Sequence, residues 1–282
     1  TGVYLTARFN APVELEDLDT ADPLNLDVIF WWKRKTDEIY NLIPDFGGFL
    51  VKANSEGQPG PQNYGRTHAD GANLLADAVG EYGGIVMWRA FVYSDKVPVD
   101  RAKQAFNEFV PLDGSFRENV VIQVKNGAID FQPREPFHPL FGAMPETPLA
   151  LELQITQEYL GQGTHLVYLA PLFKECLDSD TYSKGKNSKV SGVIDGSLDK
   201  HNISCIAGVA NIGPERNWTG HLFGPSKWSA VGRLAWDHSL SYEKIASEWI
   251  CMTFSQDPHL LEDLQELMIR SREIAVQYMT PL

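Results

Sequence analysis

The sequence predicts an α/β protein, a (β/α)8 TIM barrel lacking its first units and followed by an α-helical segment. Three observations lead there. Short apolar runs alternate with helix-period stretches across residues 2–211, the signature of parallel β/α units. The runs are continuously apolar rather than alternating, which suits strands covered on both faces. From Pro225 onward the pattern is helical only.

The predicted strands are GVYLTARF (2–9), GGFLVKA (47–53), GIVMWRAFVY (84–93), VVIQVK (120–125), LALELQI (149–155) and SCIAGVAN (204–211). Between the first two, Asp22 then Pro23 reads as an N-cap followed by the first helical residue, with the helix stopping at Pro44. Thr67-His68-Ala69-Asp70 forms a capping-box variant, behind which Ala72, Leu75, Ala76 and Val79 share one helix face. Ala102, Ala105, Phe106 and Phe109 repeat that spacing. Residues 154–203 carry little clear periodicity, which predicts a long segment walling a site. SKWSAVGRLAW, SYEKIASEWICMTF and HLLEDLQELMIRSREIAVQYM then read as helices. The expected organisation is a partial barrel over 1–224 and the start of a helical domain over 225–282. A doubly wound open sheet could also stop at six strands. However, no G-x-G-x-x-G or P-loop follows any strand, so a nucleotide fold has no support.

Composition bounds the function. With 43% hydrophobic and 11% aromatic residues the chain reads as globular, and its formal net charge is −13. That charge, and the lack of a lysine-arginine run, argue against a nucleic-acid or anionic-membrane partner. No apolar run is long enough to span a bilayer. The opening TGVYLTARFN reads as core without an initiator Met or a signal layout, so the native N-terminus is expected upstream. Cys176, Cys205 and Cys251 are odd in number and widely spaced, unlike a disulfide framework or a zinc cluster. The sequons at Asn202 and Asn217 matter only in a glycosylating host. The compartment stays open, with the cytoplasm or periplasm of a bacterium preferred to secretion.

Chemistry gathers at the strand ends. Lys52, Arg89 and Lys125 occupy late positions in three successive strands, and in a parallel barrel those ends converge on one mouth. Cations brought together need an anion, and a bound carboxylate or phosphate would supply it. The competing reading is that each pairs with a neighbouring acid and merely closes the barrel. Acids follow the same strands: Glu56 four residues after Lys52, Asp130 five after Lys125, and Glu158 just beyond LALELQI. Glycosidic hydrolysis needs one carboxyl as proton donor and one to attack or to activate water, and three at one rim can fill both roles. For any single acid, a solvated turn or an N-cap is much the better explanation, and only their common placement after strands raises them. Trp88, Tyr159 and Trp218 could stack on a sugar ring, whereas Trp31 and Trp32 on a helix read as packing. The histidines lack metal-ligand spacing and no G-x-S-x-G elbow appears, so neither a metal nor a cofactor is expected.

KANSEGQPGPQNYGRTHADGAN, GGIVMWRAFVY, VIQVKNGAIDFQPREP, LELQITQEYLGQ and GVANIGPERNWTGH together resemble the α-glucuronidases of glycoside hydrolase family 67, in order and over nearly the whole chain. The resemblance implies inverting, metal-independent enzymes that release D-glucuronic acid, or its 4-O-methyl ether, α-1,2-linked to the terminal xylose of xylan-derived oligosaccharides. It also implies an N-terminal β-rich domain, a central barrel and a C-terminal helical domain, making this chain a middle piece, with a homodimer possible for the full-length parent. By motif, Glu56 matches the general acid, and Asp130 and Glu158 the two carboxylates that activate water. Lys52, Arg89 and Lys125 match the basic residues near the uronate. Trp88 and Tyr159, expected to contact substrate from their aromatic chemistry rather than from the motif match, complete the predicted set. A uronate-binding protein without turnover, or an inactive fragment, is the alternative; a lyase or isomerase acting on acidic sugars is a second.

Overall fold

The computed structural model describes residues 2–93, 99–161 and 163–279. In chain order its elements are β1 (Val3–Arg8), α1 (Ala11–Glu14), α2 (Leu26–Leu42), β2 (Phe46–Lys52), α3 (His68–Gly80), β3 (Ile85–Arg89), α4 (Arg101–Phe109), β4 (Val120–Lys125) and β5 (Leu149–Gln154). There follow α5 (Ala170–Asp178), α6 (Val190–Ile194), β6 (Ile206–Val209), α7 (Gly224–Trp236), α8 (Tyr242–Thr253) and α9 (Pro258–Met279). Each of the six predicted strands overlaps one of these β elements, β2 starting one residue earlier than predicted. The strands hydrogen-bond in chain order, from β1 to β6, and the registers of β1/β2, β2/β3, β3/β4 and β5/β6 are parallel. An in-order parallel sheet with helices in every connection but that from β4 to β5 is the expected α/β fold, and it is consistent with a partial barrel.

Two compact units divide the chain. The first comprises Thr1–Val124, Pro139–Ala150 and Val193–Ser204. Its core is built from Phe9, Trp32, Phe49, Val51, Leu75, Val86, Trp88, Phe109 and Ile122, all buried. Trp31 and Trp32 do pack: their rings meet edge to face at 5.0 Å, and Trp32 meets Phe49 the same way at 5.6 Å. The residues of β4 are all buried, as continuous apolarity predicts, but β1 is not covered, and Val3, Tyr4 and Leu5 lie 39–45% exposed.

The cap of α2 differs from expectation. Asn25, not Asp22, stands at its N-cap, its side chain accepting from Asp27 N at 2.8 Å and Val28 N at 3.4 Å. Asp22 is engaged elsewhere, accepting both Nε and Nη2 of Arg66 at 2.9 and 3.0 Å. The capping box of α3 forms as predicted: Asp70 N donates to Thr67 Oγ1 at 3.1 Å, and Thr67 N donates to Asp70 Oδ2 at 2.8 Å.

The second unit comprises Lys125–His138, Leu151–Gly192 and Cys205–Leu282. The segment expected to lack periodicity is partly helical, since it holds α5 and α6. Its hydrophobic face buries Leu172, Phe173, Cys176 and Leu177. The helix-period tail forms α7, α8 and α9, with Ile245, Ala246, Trp249 and Ile250 buried along α8. Arg272 ties α9 down by donating to Pro133 O at 3.0 and 3.3 Å and to Glu175 at 2.7 Å. Among the described residues, no helix is long and apolar enough to cross a membrane.

Candidate active site

In the first unit, β2 ends at Lys52 and the chain enters a constrained turn. Asn54, Glu56 and Gly57 take φ of 53°, 49° and 77°, a region that residues bearing a Cβ seldom adopt. Backbone bonds hold the turn: Glu56 N donates to Tyr93 O at 3.2 Å, and Gln58 N to Ser55 O at 2.9 Å. Gly60 is required there, because a Cβ would come within 2.7 Å of Asn54. Lys52 Nζ is ion-paired with the Glu56 carboxylate on this turn, and the Glu56 side chain is about half exposed. Arg89 ends β3, half-buried.

Beneath the turn runs a polar chain. The indole N–H of Trp88 donates to Nδ1 of His68 at 3.1 Å, which leaves the proton of a neutral imidazole on Nε2. Nε2 lies 2.9 Å from Glu108 Oε2, which also accepts from Asn54 Nδ2 at 3.2 Å; Gln104 Nε2 reaches Oε1 at 2.9 Å. Burial holds His68 below its ordinary pKa despite the carboxylate beside it. Burial pushes Glu108 up, but the bonds from His68, Gln104 and Asn54 outweigh it and hold the carboxyl low. Trp88 itself has no exposed surface, so it offers no face to a sugar; its role is to anchor His68.

In the second unit, Lys125 ends β4 and is 6% exposed. Its ammonium is ion-paired with Asp130 and stands 4.5 Å from the centroid of the Phe131 ring. Tyr159 donates its hydroxyl to the other oxygen, Asp130 Oδ2, at 2.9 Å, while its ring keeps an exposed face. Glu158 follows β5. Gln154 Nε2 at 2.8 Å and Asn211 Nδ2 at 2.7 Å both donate to its Oε2, so its two oxygens are unlike. Glu158 and Tyr159 line a cleft with Phe131, Gln154 and Thr156. Lys227 of α7, buried, donates to Gln157 Oε1, and burial brings this lysine down to about 8. Trp218 meets Trp228 edge to face at 4.9 Å.

The structure therefore couples Lys52 with Glu56 in one unit, and Lys125 with Asp130 and Tyr159 in the other. Sequence reasoning missed His68 as more than a cap residue, Glu108, Gln154 and Asn211. Gln154 ends β5 and Asn211 follows β6 by two residues, which was a usable signal; Glu108 had none, being 40 residues from its imidazole partner. Among the described residues, no group of three His, Cys, Asp or Glu is set to hold a metal ion.

Known proteins resemble the chain along nearly its whole length. Residues 1–218 match the glycosyl hydrolase family 67 middle domain, and residues 219–282 match the glycosyl hydrolase family 67 C-terminus. The chain is 49% identical over 274 residues to "Alpha-glucuronidase A" of Emericella nidulans, covering 95% of this chain and 32% of that protein. It is 46% identical over 273 residues to "Alpha-glucuronidase" of Hypocrea jecorina, again covering 95% and 32%. "Probable alpha-glucuronidase A" of Aspergillus clavatus is 47% identical, with 95% and 33% covered. The chain thus spans about a third of the length of these curated relatives. With both family domains matched in order from end to end, the chain belongs to glycosyl hydrolase family 67.

Proposed function

We propose that this protein is an exo-acting, inverting α-glucuronidase. It releases D-glucuronic acid, or its 4-O-methyl ether, from an α-1,2 linkage to the terminal xylose of xylooligosaccharides. Membership of family 67 over the whole chain carries the reading, and the α-glucuronidase names of the relatives support it. On this reading residues 1–224 are part of a (β/α)8 barrel and residues 225–282 begin a helical domain.

Glu56 is the general acid, giving its proton to the leaving glycosidic oxygen. Asp130 or Glu158 takes a proton from the water that attacks the opposite face of the sugar. Lys52, Arg89 and Lys125 hold the uronate. The Lys52–Glu56 ion pair gives this assignment a sequence of events. An incoming uronate competes with Glu56 for Lys52; the released Glu56 carboxylate takes up a proton from solvent, and the resulting acid turns to the glycosidic oxygen and gives that proton to the leaving group. The Lys125–Asp130 and Tyr159–Asp130 contacts suit a carboxylate held in a fixed orientation toward the water it would deprotonate.

The test is Glu56→Ala in the full-length protein, with aldouronic acids as substrate. Release of 4-O-methylglucuronate is expected to fall by about 10² to 10⁴, the usual worth of general acid catalysis. Activity within a few-fold of the parent would remove Glu56 from the role. Proton NMR of the first product distinguishes the chemistry: single displacement gives the β anomer, double displacement the α anomer, and a lyase an unsaturated sugar.

A further inference from the structure

After β4 the chain of the second unit doubles back through two adjacent residues of left-handed backbone, Asp130 at φ 103° and Phe131 at φ 58°. Side chains bearing a Cβ resist that region, so the turn persists only if its surroundings enforce it. The enforcement comes from Glu135. Its Oε2 accepts the backbone N–H of Ile129 at 2.8 Å and its Oε1 that of Gln132 at 3.1 Å. These two amides flank the left-handed pair. A carboxylate suits the task, since it alone among side chains of this size offers two acceptor oxygens and no donor.

The approach is built in on the other side as well. The Glu135 side chain lies against Gly127, where a Cβ would overlap its carboxyl group. Gly127 bridges Phe137 across the same hairpin, so the glycine, the clamp and the turn form one local assembly. Glu135 is half-buried and faces Asp130 and Lys125. It also lines a cavity with Glu175 and Cys176 of α5.

We propose that Glu135 is a positioning residue for Asp130. By clamping the amides of Ile129 and Gln132, it fixes the turn that presents the Asp130 carboxylate between the Lys125 ammonium and the Tyr159 hydroxyl. The proposal rests on the reading of Asp130 as one of the water-activating carboxylates. Glu135 touches no reacting atom and acts through the backbone alone.

Glu135→Gln keeps the shape but replaces one acceptor with an NH2 group that meets the second amide N–H head on. Gly127→Ala leaves Glu135 intact but displaces it, giving an independent route to the same lesion. Both are measured in the full-length protein with an aldouronic acid substrate, beside Asp130→Asn and the double variant Asp130→Asn/Glu135→Gln. Each clamp variant is expected to lower kcat by about tenfold to a hundredfold, the scale of a catalytic group misplaced by an ångström, with KM within about threefold. In the Asp130→Asn background, Glu135→Gln is expected to change residual kcat by less than about twofold, because the two act as one unit.

A Glu135→Gln enzyme within about threefold of the parent, beside an Asp130→Asn enzyme that has lost most of its turnover, overturns the clamp and leaves Asp130 in its role. An equal loss from Glu135→Gln in both backgrounds also overturns it, since a general structural defect does not depend on Asp130. If instead Asp130→Asn is the silent variant, the water-activating reading falls, and this proposal with it. The two failures differ in which substitution leaves the enzyme unharmed.

Discussion

By donating its indole N–H to Nδ1 of His68, Trp88 decides which imidazole nitrogen carries the proton, and so which one meets Glu108. Trp88→Phe keeps the aromatic bulk and deletes that donor, leaving a buried acceptor unpaired. The expected cost is about 1–3 kcal/mol in urea denaturation, while in the full-length protein KM for the proposed uronate substrate stays unchanged because the indole has no exposed surface. A raised KM at undiminished stability would return Trp88 to the substrate contacts. The Lys52–Glu56 and Lys125–Asp130 pairs were legible, as the competing reading of cations that meet neighbouring acids, because strand ends are visible in the pattern and each lysine lies within five residues of its acid. Trp88 was misjudged because its partner is 20 residues away, and adjacency to Arg89 is no guide in a strand whose neighbouring side chains point to opposite faces.

The helix ends show how far local signals reach. The Thr67–Asp70 box closes over three residues, so both halves stand together in the sequence. Thr67→Ala is expected to cost about 1 kcal/mol, read as a lowered urea midpoint with an unchanged slope. The start of α2 was less legible, because the side chain of Asp22 is taken by Arg66, 44 residues on, and the cap passes to Asn25. The same limit hid α5, a helix of 9 residues embedded in a long irregular stretch. Short helices of this kind owe their stability to packing rather than to a pattern that could be seen in isolation.

Across the whole molecule, buried histidines link stability to acidity. His138 is brought down by burial from 6.5 to about 4, and His68 is shifted in the same direction. The unfolded chain therefore takes up protons at these sites as pH falls below 6.5, while the folded chain refuses them until about 4 for His138. The contribution of these histidines to stability is complete above 6.5 and is lost through that window, with His138 alone worth on the order of 3 kcal/mol. Urea denaturation between pH 7 and 4 is expected to follow this slope, and His138→Asn to flatten it; an unchanged slope would exonerate His138. The family and the strand order were legible at this scale, since both are carried by runs of residues. The carboxyl-to-amide clamp of Glu135 was not, because nothing in QPREP distinguishes a buried acceptor from a solvated charge. One feature of the fold also bears on handling the protein. The uncovered β1, with Val3, Tyr4 and Leu5 in solvent at the end of the strand order, is a free template for another polypeptide. In a preparation of this segment by itself, light scattering is expected to rise with salt at high concentration, as screening weakens the repulsion of the −13 net charge between such edges; scattering that does not change with salt would show that the edge does not pair.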